Sequence, residues 1–107
     1  MNKSTQIFQL LRDSQLIALL TPQSVDECVS AYKLCREQGV ILEIAFRSPP
    51  AVEGLRAVLD NDPEALVLAG TVMTEEQADS AIQAGAAGIV SADYIPWSGE
   101  AFRLRFK

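Results

Sequence analysis

Apolar positions gather in four short runs at near-even intervals: Leu16–Leu20, Val40–Phe46, Ala65–Ala69 and Gly88–Val90. Runs this dense predict parallel strands buried on both faces. Between them, apolar residues recur at helical spacing and the boundaries carry helix signals. Ser24-Val25-Asp26-Glu27 reads as a capping box in which Ser24 and Glu27 satisfy each other's free amides. Val25, Cys28, Val29 and Tyr32 then trace one helix face, and Gly39 supplies the stop. Ser48-Pro49-Pro50 reads as a cap followed by proline in the first turn, with Leu55, Val58 and Leu59 on the inner face of the helix that follows. Thr74-Glu75-Glu76-Gln77 is a second capping box, closed by Gly85. A leading helix over about residues 5–13 uses Ile7, Leu10 and Leu11.

The order is therefore helix, three strand-helix units and a fourth strand, with a repeat of about 25 residues, as βα units with short loops require. Right-handed crossovers place the four strands side by side with the helices on one face. The helix N-termini then point at the rim where the strands end, and their free amides favour an anion there. Thr21, Arg47, Thr71 and Ser91 fall on that rim. The opposite face, with Ile17, Leu19, Ile41, Val67 or a neighbour, and Ile89 or Val90, is expected to be covered by a second copy or by the folded-back tail. In that tail (95–107), Phe102, Leu104 and Phe106 alternate with Arg103, Arg105 and Lys107, the signature of a half-buried edge strand. Its basic row serves edge protection and dimer contact, or contacts a phosphate or an acidic partner. The competing arrangement is an open flavodoxin-like sheet with altered strand order and the leading helix on the second face.

One polar residue interrupts the apolar pattern. In Ile41-Leu42-Glu43-Ile44-Ala45-Phe46-Arg47, alternation puts Glu43, Ala45 and Arg47 on one face and Leu42, Ile44 and Phe46 on the other. A carboxylate there must be paired, neutral or open to a cavity. The plain alternative to a ligand site is a buried Glu43–Arg47 support.

Composition narrows the chemistry. A chain of 107 residues suits one domain, and 49% hydrophobic content is enough for a core. A net charge of -5 with scattered basic residues argues against nucleic acid. The N-terminal residues do not read as a signal peptide and no apolar run reaches membrane-spanning length, so a cytoplasmic protein is expected. Cys28 and Cys35 lie about 10 Å apart along one helix, too far for a disulfide. The chain has no histidine, which removes the commonest general base and metal ligand. No cofactor or metal is expected.

Three blocks carry a resemblance: Leu42-Glu43-Ile44-Ala45-Phe46-Arg47-Ser48-Pro49, Ala69-Gly70-Thr71-Val72-Met73-Thr74-Glu75-Glu76-Gln77, and Ala84-Gly85-Ala86-Ala87-Gly88-Ile89-Val90-Ser91. In order and spacing, over about residues 6 to 95, the chain resembles the bacterial 2-keto-3-deoxy-6-phosphogluconate / 4-hydroxy-2-oxoglutarate aldolases. The resemblance implies half of a TIM-type (β/α)8 barrel, four parallel strands with helices, to which the tail adds an edge strand. It implies an acid/base role for Glu43, capture of a substrate carboxylate by Arg47, and a hydroxyl from Thr71 in the same pocket; their place on the rim, apart from the resemblance, makes Ser91 and Thr21 further substrate-binding candidates.

The departures are as specific. The family's Schiff-base lysine belongs to its sixth strand and its phosphate loops to the last two strands, beyond this chain's fourth. The lysines present, Lys3, Lys33 and Lys107, sit at no strand's functional end. Pro-Gly, usual after the fourth strand, is replaced by Ala92-Asp93-Tyr94, and the first strand lacks the family's proline. The expected function is a self-associating, small keto-acid-binding or degenerate aldolase-like protein, its ligand a carboxylated or phosphorylated metabolite. A working lyase needs Lys107, a partner's residue, or a metal near Glu43 and Asp93. The other class is a non-catalytic interaction module assembling through its open sheet and C-terminal strand.

Overall fold

The computed structural model describes residues 2–14, 16–91, 96–99 and 102–105. A leading helix α1 (Lys3–Ser14) is followed by β1 (Ile17–Leu20), α2 (Val25–Gln38), β2 (Ile41–Ala45), α3 (Ala51–Asn61), β3 (Val67–Gly70), α4 (Glu75–Gln83), β4 (Gly88–Ser91) and β5 (Phe102–Arg105). All five strands are parallel and lie in chain order in one sheet. The altered strand order of the flavodoxin-like alternative is therefore not adopted. None of the described helices is long and apolar enough to cross a membrane.

The capping signals are realised at two helices. Ser24 Oγ accepts from the Glu27 amide at 3.2 Å and Thr74 Oγ1 from the Gln77 amide at 3.1 Å. Gly39 and Gly85 take the left-handed conformation after α2 and α4. Ser48 is a correction: it does not cap α3. The helix begins at Ala51 after Pro50, with no side-chain cap, and Ser48 Oγ donates to the Pro22 carbonyl at 2.6 Å. Two successive prolines carry the chain past Ser48 before the first helical turn closes, so its hydroxyl ties the β2–α3 loop to the β1–α2 loop instead.

The sheet has two unlike faces. On the outer face Leu42, Ile44, Val67, Ala69 and Ile89 pack with Cys28, Leu55, Val58, Ala78 and Ala81 from α2, α3 and α4. Helices α2 and α3 approach closely because Gly54 has no Cβ; one placed there would lie 3.0 Å from Cys28 Cβ. The other face carries Ile41, Leu68 and Val90, packed with Ala87 and with Ile7 of α1. Ile7 is fully buried, which is worth about 1.5–3 kcal/mol.

Among the described residues α1 packs on part of this second face, through Ile7 with Leu10 and Leu11. From β3 it is Leu68, the neighbour of Val67, that points this way, because β3 pairs Leu68 with Glu43 and Val67 with Leu42. The cover is partial: Ile17 and Leu19 of β1 remain 38% and 65% exposed.

The tail extends this sheet. β5 pairs with β4 from Gly88↔Phe102 to Ser91↔Arg105. The segment before it is fastened to α4: Trp97 is buried in the outer core, and its Nε1 donates to Asp79 Oδ1 at 2.7 Å. The Arg103 guanidinium stacks 4.6 Å from the Trp97 ring centroid and donates to the Trp97 and Gly99 carbonyls. The alternation expected at Phe106 and Lys107 lies outside the described residues.

Candidate functional site

Glu43 stands at the middle of β2 on the face away from α2–α4, one layer above the part that α1 covers. It is 8% exposed, and burial pushes its carboxyl up from the ordinary range. Among the described residues no cation lies within ion-pair distance of it, so the simple Glu43–Arg47 support is not what the fold builds. Its carboxyl lies over Gly70, where a Cβ would meet Glu43 Oε2.

Arg47 and Thr71 follow the ends of β2 and β3. The Arg47 Nε donates to Thr71 Oγ1 at 3.3 Å, which turns the guanidinium toward the strand ends. Thr71 has φ +53°, and among the described residues no other non-glycine residue has a positive φ. A β-branched residue is strained in the left-handed region, at about 1–3 kcal/mol, and such strain concentrates at ligand sites. The two loops are braced together. The Phe46 amide donates to the Gly70 carbonyl at 2.8 Å, while Gln77 accepts from the Met73 amide at 2.7 Å and donates to the Phe46 carbonyl at 3.4 Å.

Glu43, Arg47, Thr71 and Ser91 line one open cavity of about 350 Å³, walled on the remaining sides by Ile17, Leu19 and Val90. Four of the five residues expected from sequence thus converge. Thr21 does not: it follows β1 at the same end of the sheet but is exposed and outside the cavity. Sequence reasoning missed the part played by Gly70; its place directly before Thr71, at the end of an apolar run, was the available signal. Lys3 opens α1 and Lys33 is exposed on α2, and neither lines the cavity; Lys107 and Asp93 lie outside the described residues.

A second polar cluster lies in another cavity, of about 270 Å³, lined by Tyr32, Arg36, Asp62 and Glu64. There the Asp62 carboxylate already accepts from Tyr32 at 2.7 Å and from Arg36 at 2.8 Å, and the Tyr32 bond holds it below its ordinary range. Tyr32 in turn is pushed up to about 12, mainly by burial. These groups satisfy one another and tie α2 to the end of α3. Those in the first cavity leave a carboxyl and a guanidinium without an ionic partner among the described residues.

The chain that carries this arrangement is similar in sequence and fold to known proteins. The family model described as KDPG and KHG aldolase matches residues 7–96. The chain is 33% identical over 91 residues to the 2-dehydro-3-deoxy-phosphogluconate aldolase of Treponema pallidum, covering 84% of this chain and 43% of the relative. It is 30% identical over 92 residues to the Haemophilus influenzae enzyme of the same name, covering 85% and 43%. The crystal structure of the Zymomonas mobilis 2-keto-3-deoxy-6-phosphogluconate aldolase with 3-phosphoglycerate superposes with a TM-score of 0.73 at 25% identity, over 85% of this chain and 44% of that one. The chain thus spans less than half the length of these relatives, and the fold it matches is half of a TIM-type barrel. With the match running through β1 to β4 and both loops that carry Arg47 and Thr71, the chain belongs to the KDPG and KHG aldolase family.

Proposed function

We propose that this chain binds a small 2-oxo acid in the Glu43 cavity, as one half of a pyruvate-aldolase-type site. The observation that carries this reading is the pairing of a buried, ion-pair-free carboxyl with a guanidinium aimed by a strained threonine. A planar guanidinium takes a carboxylate through two parallel hydrogen bonds, and Arg47 spends only its Nε on Thr71. With the carboxylate of the ligand on Arg47, the oxo group lies toward Glu43. Desolvation shifts the Glu43 carboxyl up from its ordinary range and so favours its protonated form, which suits it to give or take a proton next to that carbon. Ser91 supplies a further hydroxyl on the same wall.

Aldol cleavage needs an electron sink, and in a class I aldolase that sink is an amine. Among the described residues no lysine lines the cavity, and this reading assigns the chain the binding half of the site. Cleavage requires an amine brought into the cavity by Lys107 or by another polypeptide segment. The exposed Ile17 and Leu19 beside Glu43 support assembly with a second copy, each copy covering the open inner face of the other. Because β5 occupies the β4 edge, the edges left for such assembly are those of β1 and β5. A cytoplasmic setting fits such a metabolite-binding role.

The test is a thermal-shift titration of the protein with pyruvate, alongside borohydride trapping. Pyruvate raises the Tm, Arg47→Ala removes the rise, and borohydride leaves no adduct on this chain alone. Absence of any shift with pyruvate or a longer 2-oxo acid overturns the binding reading; a trapped adduct overturns the assignment of the chain as a binding half. The second reading, an interaction module, is favoured by the 65% exposure of Leu19 alone. It predicts that Leu19→Glu breaks a concentration-dependent oligomer while keto acids do nothing.

A further inference from the structure

We propose that Gly70 is a positioning residue: the space left by its missing Cβ is the seat that holds the Glu43 carboxyl in the cavity. A Cβ at position 70 would meet Glu43 Oε2 and lie 2.6 Å from Cδ and 2.8 Å from Cγ, closer than packed side chains come. All three nearest atoms belong to Glu43. The glycine is not there for the backbone. Gly70 is not among the positive-φ glycines and sits within β3, paired with Ala45, where alanine is sterically allowed. Nor is it there for helix packing, since the neighbours a Cβ would strike are on the cavity face.

The consequence is a division of labour across two adjacent residues. Gly70 seats the carboxyl, and Thr71, turned into the left-handed region immediately after, holds Arg47. The acid and the guanidinium are thus placed by one dipeptide at the end of β3, although both belong to β2 and its loop. A methyl group at 70 has an easy remedy, because the colliding atoms are the far end of a flexible side chain. The carboxyl swings out and the fold survives. Gly70→Ala is therefore expected to act on the site through Glu43 rather than through the core.

The inference rests on the proposed function only for its effect on ligand binding, and the first measurement needs no ligand. In carboxyl carbon NMR titrations of the full chain, Glu43 of the parent titrates above the ordinary glutamate range, and in Gly70→Ala it falls toward that range as the carboxyl leaves its seat. An unchanged Glu43 titration in a folded Gly70→Ala protein overturns the proposal. A double-mutant cycle decides the case in which the variant is badly destabilised. The Tm loss caused by Gly70→Ala should largely vanish in a Glu43→Ala background, where nothing fills the seat. An equal loss in both backgrounds places the collision elsewhere and overturns the proposal. If the carboxyl moves as expected while the parent binds no 2-oxo acid, the positioning stands and the ligand assignment falls. If the parent binds pyruvate, Gly70→Ala should weaken it about tenfold, the loss of one hydrogen bond.

Discussion

The two faces of the sheet are built from the same strands yet obey different rules. On the outer face, Leu42, Ile44, Val67, Ala69 and Ile89 meet three helices, and the residues of that cluster are nearly all apolar. On the inner face, α1 covers Ile41, Leu68 and Val90, and the layer above holds Glu43 with Arg47, Thr71 and Ser91 beside two exposed apolar residues. Residues 42 and 43 are neighbours in sequence, and one is core while the other is site. The period of two along a strand lets a short chain keep its stability and its chemistry on opposite sides of one backbone. Changes on the outer face should therefore cost stability and spare the site, and changes on the inner upper layer should do the reverse.

The largest effect is expected from Leu55→Ala. Leu55 is fully buried between the helix layer and the sheet, and the truncation should cost about 2–5 kcal/mol in urea unfolding. Any protein that remains folded should keep its pyruvate response; loss of binding in a folded Leu55→Ala variant would break the separation of the faces. Thr71→Gly should be smaller and opposite in sign. Relief of the left-handed strain, set against the entropy of glycine, leaves a gain of about 1 kcal/mol in unfolding free energy. The same change frees Arg47 and weakens keto-acid binding, so a variant that loses both stability and affinity would refute the strain argument.

The smallest effect is pH-dependent. The folded state raises the Glu43 carboxyl by burial, so folding holds its proton more tightly than the unfolded chain does. Stability from this group is present below the ordinary carboxylate range and is lost as pH rises through the folded value. Glu43→Gln should accordingly raise the Tm at neutral pH, with the gain shrinking to nothing below about pH 4. A gain that is flat across pH would mean that Glu43 is not desolvated, and the inner face would then be an ordinary wet surface.

Much of this was legible in sequence because it is local. Strand runs, the caps at Ser24 and Thr74 and the glycine stops depend on neighbours within four residues, and alternation alone placed Glu43 opposite Leu42 and Ile44. The family blocks brought Arg47 and Thr71 into the same account. What failed was also physical. Ser48 carries a cap residue's chemistry, but the two prolines after it and the nearby Pro22 carbonyl gave its hydroxyl a better partner. Thr21 shares the rim by topology, yet a rim position does not decide where a side chain turns.

The sequence by itself determined the order of elements and their facing, because these follow from periodicity and residue type, while the family blocks singled out Glu43, Arg47 and Thr71 as candidates for the site. Only the tertiary structure decided that α1 lies on the inner face, that β5 joins β4, that Thr71 takes a left-handed backbone and that Gly70 makes room for Glu43. Those are contacts between residues far apart in the chain. Their energies depend on distances of a few ångströms that only the packed fold sets.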